Sequence, residues 1–227
     1  RAWCSVRRHS RRGRARSASI RLGGNEMRWL SCLLCTLMLA GCFTAGKRGG
    51  DAPLAIYDFG QSPASLLDAP RRVPLALEVR APLWFDTMGI DYRLAYVDSA
   101  RLREYARARW AGPPAQLLQQ RLMQQLGLAP SGQGQARCLL RIEITEFSQV
   151  FSAPDSSRGV LQGRAVLLDR ARRTLAELPI TLEKPASSQD ARGGVGALTA
   201  AVDQLAVDLV VWEKRLAGAA TSAACFN

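Results

Sequence analysis

Leu198, Val202, Leu205, Leu209, Trp212 and Leu216 recur at steps of four and three residues, the spacing of one face of an α-helix. A stripe that continuous must be covered by other apolar surface. The cover is visible upstream, where Leu140, Ile142 and Ile144 alternate with Arg141, Glu143 and Thr145, the two-residue period of a strand with one buried face. Within Cys138–Phe151 the apolar phase then moves to Phe147, which predicts a β-bulge near Glu146. A one-faced helix beside a one-faced strand implies helix packed on sheet. Hydrophobic residues make up 48% of the 227 and charged residues 22%, proportions that exclude a disordered chain.

Other segments fill in the same architecture. Residues 55–59, 73–79, 91–97, 159–169 and 175–182 read as strands, the last two joined through Arg170–Arg173. Gly112-Pro113-Pro114 breaks the chain, and proline is tolerated at a helix start. Pro114–Leu126 is therefore a predicted helix, with Leu118, Leu122 and Leu126 on one face and Gly127 and Pro130 closing it. Residues 102–110 fit either period; as an unbroken strand they place Arg103, Tyr105, Arg107 and Arg109 on one face. Pro185–Gly196 reads as a loop before the final helix. Strands and helices interleave, so the expectation is a single α/β domain over residues 54–217, followed by a tail at 218–227.

The N-terminal part follows other rules. Residues 1–26 carry eight arginines and one acid, Glu26, and account for most of the formal net charge of +12. A basic tail can bind nucleic acid through its phosphates, but the first methionine is Met27, so 1–26 is read as an untranslated or disordered leader. From Met27, Arg28 is followed by the apolar run Trp29–Ala40. Twelve residues are too few for a bilayer span, which needs about 20, and fit the core of a signal peptide at 27–41. Leu39-Ala40-Gly41-Cys42 resembles a bacterial lipobox, with Leu39, Ala40 and Gly41 as the signal-peptidase recognition residues and Cys42 as the lipidation site. A thiolate is the nucleophile such acylation needs, and two or more chains anchor a protein durably where one does not. The Gly-rich stretch 42–53 reads as a flexible tether. The resemblance to bacterial lipoproteins, in which Asp after the cysteine favours retention in the inner membrane, implies the outer membrane for a chain with Phe43 at that position.

The remaining chemistry is sparse. The single histidine is His9, so a mature chain starting at Cys42 has no base for a serine triad and no imidazole metal ligand; no catalytic residue, metal site or cofactor beyond covalent lipid is expected. Cys32 and Cys35 fall inside the signal core. Cys138 and Cys225 remain, either as a disulfide, which an oxidising compartment allows, or as a buried thiol and a frayed one. Glu143 and Glu146 lie on opposite strand faces unless the bulge re-aims one. Gly193-Gly194-Val195-Gly196 precedes a helix, where an anion could bind, or is simply a flexible helix start. Trp110 beside Arg109 is a candidate partner contact or a core plug, and the Arg103, Tyr105, Arg107, Arg109 face is a candidate surface for a partner or anionic lipid.

Three stretches together resemble one family: Tyr92–Tyr96 with Glu104-Tyr105 and Arg109-Trp110 running into Pro113-Pro114; Ile142–Phe147 with Val150-Phe151; and Ala197-Leu198 with Asp208-Leu209 and Trp212. They are similar to the ABC-type transport auxiliary lipoproteins over about residues 55–215. The resemblance implies a three-layer α/β domain with a mixed sheet. It also implies a non-enzymatic role beside an ABC permease and an MCE-domain protein in transenvelope lipid transport, anchored at the periplasmic face of the outer membrane. Self-association is a further expectation, and no nucleic-acid partner is expected unless the basic leader is part of the working protein. An outer-membrane lipoprotein regulating a cell-wall enzyme is the alternative.

Overall fold

In the computed structural model, which describes residues 53–61, 63–132 and 136–226, the chain runs β1 (Ala55–Tyr57), β2 (Leu75–Arg80), β3 (Gly89–Leu94), β4 (Leu102–Trp110), α1 (Pro114–Leu126), β5 (Ala129–Pro130), β6 (Cys138–Ala153), β7 (Ser156–Leu168), β8 (Thr174–Pro185) and α2 (Ala191–Ala217), with a short 3-10 turn at Ala223–Cys225. These residues form one compact unit, Ala52–Asn227; the unit Arg1–Asp51, with the signal segment, Leu39, Ala40, Gly41 and Cys42, lies outside the described residues.

β6 organises the sheet because its 16 residues serve two neighbours along one edge. Its first half pairs in parallel with β2, from Leu75↔Cys138 to Arg80↔Glu143, and its second half pairs in parallel with β3, from Tyr92↔Gln149 to Leu94↔Phe151. The register shift between Ile144 and Glu146, where the alternation had changed phase, lies between the two. On its other edge β6 runs antiparallel to β7, which continues into β8. β4 joins β3 antiparallel, β1 joins β4 in parallel, and β5 extends β2. The result is a mixed eight-stranded sheet, as expected.

Both helices start and stop where local chemistry dictates. Pro113 and Pro114 open α1 with a fixed φ and no donor to waste. Gly127 ends it in the left-handed region at φ 57°, its N–H donating to the Met123 carbonyl. Leu118, Leu122 and Leu126 are completely buried. α2 begins at Ala191, so the predicted Pro185–Gly196 loop is shorter than expected. The cause is Asp190, whose carboxylate accepts from the Gly193 N–H at 2.8 Å and caps the helix before the glycines. Lys214 and Arg215 stand in its last turn, complementing the helix dipole. By length and composition α2 could cross a membrane, but the face bearing Leu198, Val202, Leu205, Leu209 and Trp212 is buried in the core.

The layer count differs from the expectation. Both helices share one apolar cluster with Leu75, Leu77, Leu140, Ile142 and Leu161 of the sheet, whereas the opposite sheet face carries only a small cluster around Ala76, Leu139, Val166 and Leu168. The helices are tied side by side. Arg121 of α1 donates Nε and Nη2 to the two carboxylate oxygens of Asp203 at 2.7 and 2.9 Å, and Gln125 donates to the same carboxylate at 3.0 Å. The described residues therefore make two layers, not three. Cys138 and Cys225 are joined, with Cα atoms 5.5 Å apart, so of the two readings left open the disulfide is the one adopted, and the tail is packed rather than frayed.

Candidate interaction surface

β4 carries the residues that sequence reasoning placed on one face, and its pairing divides them. Asp91 faces Glu104 and Gly89 faces Arg109, so a step of two residues along β3 spans a step of five along β4. That irregularity changes the strand's phase. Tyr105 and Ala108, three apart, both turn to the core, as does Trp110. Arg107 and Arg109 consequently lie on the opposite face from Arg103 and Tyr105, and the four do not form one surface. The Tyr105 hydroxyl donates to Gln149 Oε1 at 2.8 Å, and its ring lies 4.6 Å from that of Tyr92. Burial, then the neighbouring Tyr92 and Asp190, raise its pKa well above the ordinary tyrosine value, so it stays a neutral hydrogen-bonding group. Trp110 is 1% exposed, stacked edge-on to Phe59 at 5.3 Å and near Phe147 at 5.8 Å. It is the core plug, and the partner-contact reading is set aside.

The carboxylates are occupied by arginines. The bulge re-aims Glu146 onto the face of Glu143, away from Ile144 and Phe147 in the core. Glu143 accepts from Arg164 at 2.7 Å, and Glu146 accepts both Arg93 Nε and Nη2 at 3.0 Å, as well as the Ser148 hydroxyl. Asp91 is buried beside them. Burial, then the Glu104 and Glu146 charges, push its pKa up to about 7 against the pull of Arg93. Among the described residues no three acids, cysteines or histidines are grouped as metal ligands. The glycine run is not an anion cradle either. A Cβ on Gly193 would meet the Ser188 carbonyl at 2.1 Å and one on Gly194 would meet Gln149 Oε1 at 2.2 Å. These glycines let the helix approach its neighbours, and the Asp190 carboxylate, held below its usual range by the Ser188 hydroxyl and the Gly193 N–H, already occupies the helix start.

What remains available for recognition is apolar and sits elsewhere. In the connection between β2 and β3, Leu83 is 85% exposed and Trp84 64% exposed, with Met88 also open, while Phe85 between them is buried. The turn is held by Phe85 and Asp86 N–H groups donating to the Pro82 carbonyl at 2.8 and 3.1 Å. Backbone pairing sets this segment next to the sheet edge: the Met88 carbonyl accepts from Trp110 N–H, and Arg109 pairs with both Gly89 and exposed Ile56. The projecting Leu83-Trp84 turn offers an exposed aromatic anchor, and the chain that leaves it joins, at Gly89, the edge that carries Ile56 and Arg109; Trp and Arg are among the side chains most enriched where proteins bind one another. Sequence reading missed the turn. Its one signal is that Leu83-Trp84-Phe85, after Pro82, fits neither a strand nor a helix period, so all three cannot be buried.

The fold is shared with solved proteins. A Xanthomonas campestris protein of the DUF330 family superposes with a TM-score of 0.59 at 21% identity, over 70% of this chain and 94% of that one. An uncharacterized protein superposes with a TM-score of 0.57 at 16% identity, over 71% of this chain and 99% of that one. No curated protein matches at a significant level. Residues 68–210, which run from before β2 into α2, match the family model described as the ABC-type transport auxiliary lipoprotein component. That span contains the parallel β2–β6 and β3–β6 pairings, the proline-started α1 and most of the helix that covers them, and the chain belongs to the ABC-type transport auxiliary lipoprotein family.

Proposed function

We propose that this protein is a non-enzymatic, lipid-anchored accessory of a transenvelope lipid transport system. In this reading Cys42 carries the acyl chains, and the protein resides at the periplasmic face of the outer membrane. It works with the MCE-domain protein and ABC permease of the same system. The family supplies the transport context and the membrane-associated periplasmic setting. The exposed Leu83-Trp84 turn supplies the means of docking. The mechanism is positional: anchored chains hold the domain at one membrane, and the apolar turn seats on the partner that crosses to it. Nothing in the arrangement requires bond chemistry on this chain.

The test is co-purification of the full chain with an MCE-domain protein from membranes of the native host. Trp84→Ala, with Leu83→Ser as a second variant, is expected to weaken capture by about 30-fold, the loss that follows from about 2 kcal/mol at an aromatic hot spot. Cys42→Ser is expected to remove the protein from the outer-membrane fraction. Undiminished capture by the Trp84 variant would overturn the docking surface. Capture of a penicillin-binding protein in place of the MCE protein would move the reading to control of a cell-wall enzyme.

A further inference from the structure

At the end of the sheet where β6 begins and β7 ends, four arginines stand close to a single acid. Arg137 and Arg170 line two adjoining hollows. One, of about 280 Å³, also takes in Arg172; the other, of about 450 Å³, takes in Arg173. Asp169 lies in both, but it is already held: its carboxylate accepts the Arg173 N–H at 2.9 Å and Arg173 Nε at 2.8 Å, the backbone bond first among the causes keeping its pKa below the usual range. Arg172 comes within 4.0 Å of Glu78. Arg137 and Arg170 have no carboxylate within ion-pair distance among the described residues. Elsewhere Arg71, Arg93, Arg121, Arg141 and Arg164 are each held by an acid. The hollow thus concentrates unneutralised positive charge.

Its walls add a second property. The larger hollow is bounded by Leu175 and Ala171 on one side and by Thr221 and Ala224 of the C-terminal tail on the other. The tail is in place because Cys225 is bonded to Cys138. Guanidinium groups fit phosphate oxygens in a two-pronged geometry that an ammonium cannot match, and small apolar side chains beside them accept hydrocarbon rather than water. We infer that the cleft between the β7–β8 turn and the disulfide-held tail is a binding site for a phosphate group, with Arg137 and Arg170 as its principal donors. The apolar wall favours the phosphate of a phospholipid headgroup over a free anion. This site is remote in sequence from the Leu83-Trp84 turn and stands independently of which protein that turn docks.

The experiment is native mass spectrometry of the full chain released from an uncharged detergent, titrated separately with phosphatidylglycerol, inorganic phosphate and diacylglycerol. Phosphatidylglycerol adducts are expected, with diacylglycerol giving none. The Arg137→Gln/Arg170→Gln double variant should lose at least tenfold in apparent affinity. Both side chains are exposed, so the variant is expected to keep the parent's thermal melt. Arg101→Gln/Arg192→Gln, both exposed and lining neither hollow, is the control and should bind as the parent does. Reduction of the disulfide should weaken binding by loosening one wall. Inorganic phosphate binding as tightly as phosphatidylglycerol, and lost in the same variant, would keep the site and assign it to the free anion. Equal binding by the parent and the Arg137/Arg170 variant, or no phosphate-dependent adduct at all, would overturn it.

Discussion

Asp91 shows how a single side chain reports on its surroundings. Its carboxyl is buried opposite Glu104 and near Glu146, and only Arg93 favours its charge. An unfolded aspartate loses its proton near pH 4, whereas the folded one holds it to about 7. Between those values the native state binds the extra proton, so stability falls as pH rises through that window and is fully reduced above it. Asp91→Asn is therefore expected to leave the melting temperature nearly unchanged at pH 4 and to raise it by several degrees at pH 8, a gain on the order of 2 kcal/mol. Thermal melts at the two pH values decide it, and an equal shift at both would remove Asp91 as the cause. Trp110 argues the opposite way. Filled on all sides by Phe59, Phe147 and the sheet, it should cost about 3–5 kcal/mol when truncated to alanine, measurable as a lower denaturant midpoint.

Elements were legible where the chain punctuates itself. The bounds of α1 follow from Pro113, Pro114 and Gly127, and the bulge in β6 from the step between Ile144 and Phe147, because each is local. The phase of β4 was not legible, since alternation read along one strand assumes an unbroken ladder; its phase is set by β3, where a step of two residues spans a step of five on β4. The start of α2 was misplaced because glycines disfavour helix locally, and what favours it, the Asp190 cap and the close packing under the glycines, is tertiary. Two of the glycines in and under this helix make opposite predictions. Gly159 of β7 lies beneath α2, where a Cβ would meet the Leu198 nitrogen at 2.7 Å and the Ala197 carbonyl carbon at 2.8 Å. Gly159→Ala should destabilise by about 1–3 kcal/mol. Gly196, whose Cβ would meet nothing within 4 Å, should stabilise by about 0.5–1 kcal/mol as alanine. Urea titrations of the two variants should shift their midpoints in opposite directions.

At the scale of the molecule, the α/β class and mixed sheet could be read from alternating periods and from family likeness. Stacking both helices on one face could not, because it depends on the Arg121–Asp203 fork between residues far apart in the chain. Sequence named Cys138 and Cys225 as a possible disulfide but could not choose between that and two free thiols: they are 87 residues apart, and nothing local brings them together. A crosslink closing a loop of that length restrains the unfolded chain strongly, and its loss is expected to cost about 2–5 kcal/mol. Cys138→Ser/Cys225→Ser should lower the melting temperature by several degrees and expose the tail at Thr221–Ala224 to limited proteolysis. An unchanged melt would mean that the tail is held by packing alone.

The two-neighbour edge of β6 also sets an order of assembly for a chain that emerges from its N-terminus. β2 draws its partners from residues that follow the start of α1 and β3 has only β4 beside it until β6 is delivered, so the leading segments emerge before the centre of the sheet exists. β6, β7 and β8 form a meander of sequence neighbours, which can assemble quickly because its contacts are local. The earlier strands must then be captured by the later ones. Until that happens Leu75, Leu77 and Ile90, all fully buried at the end, face the aqueous compartment. The first half of the domain therefore keeps its core side chains open for an interval that closes as the meander is completed.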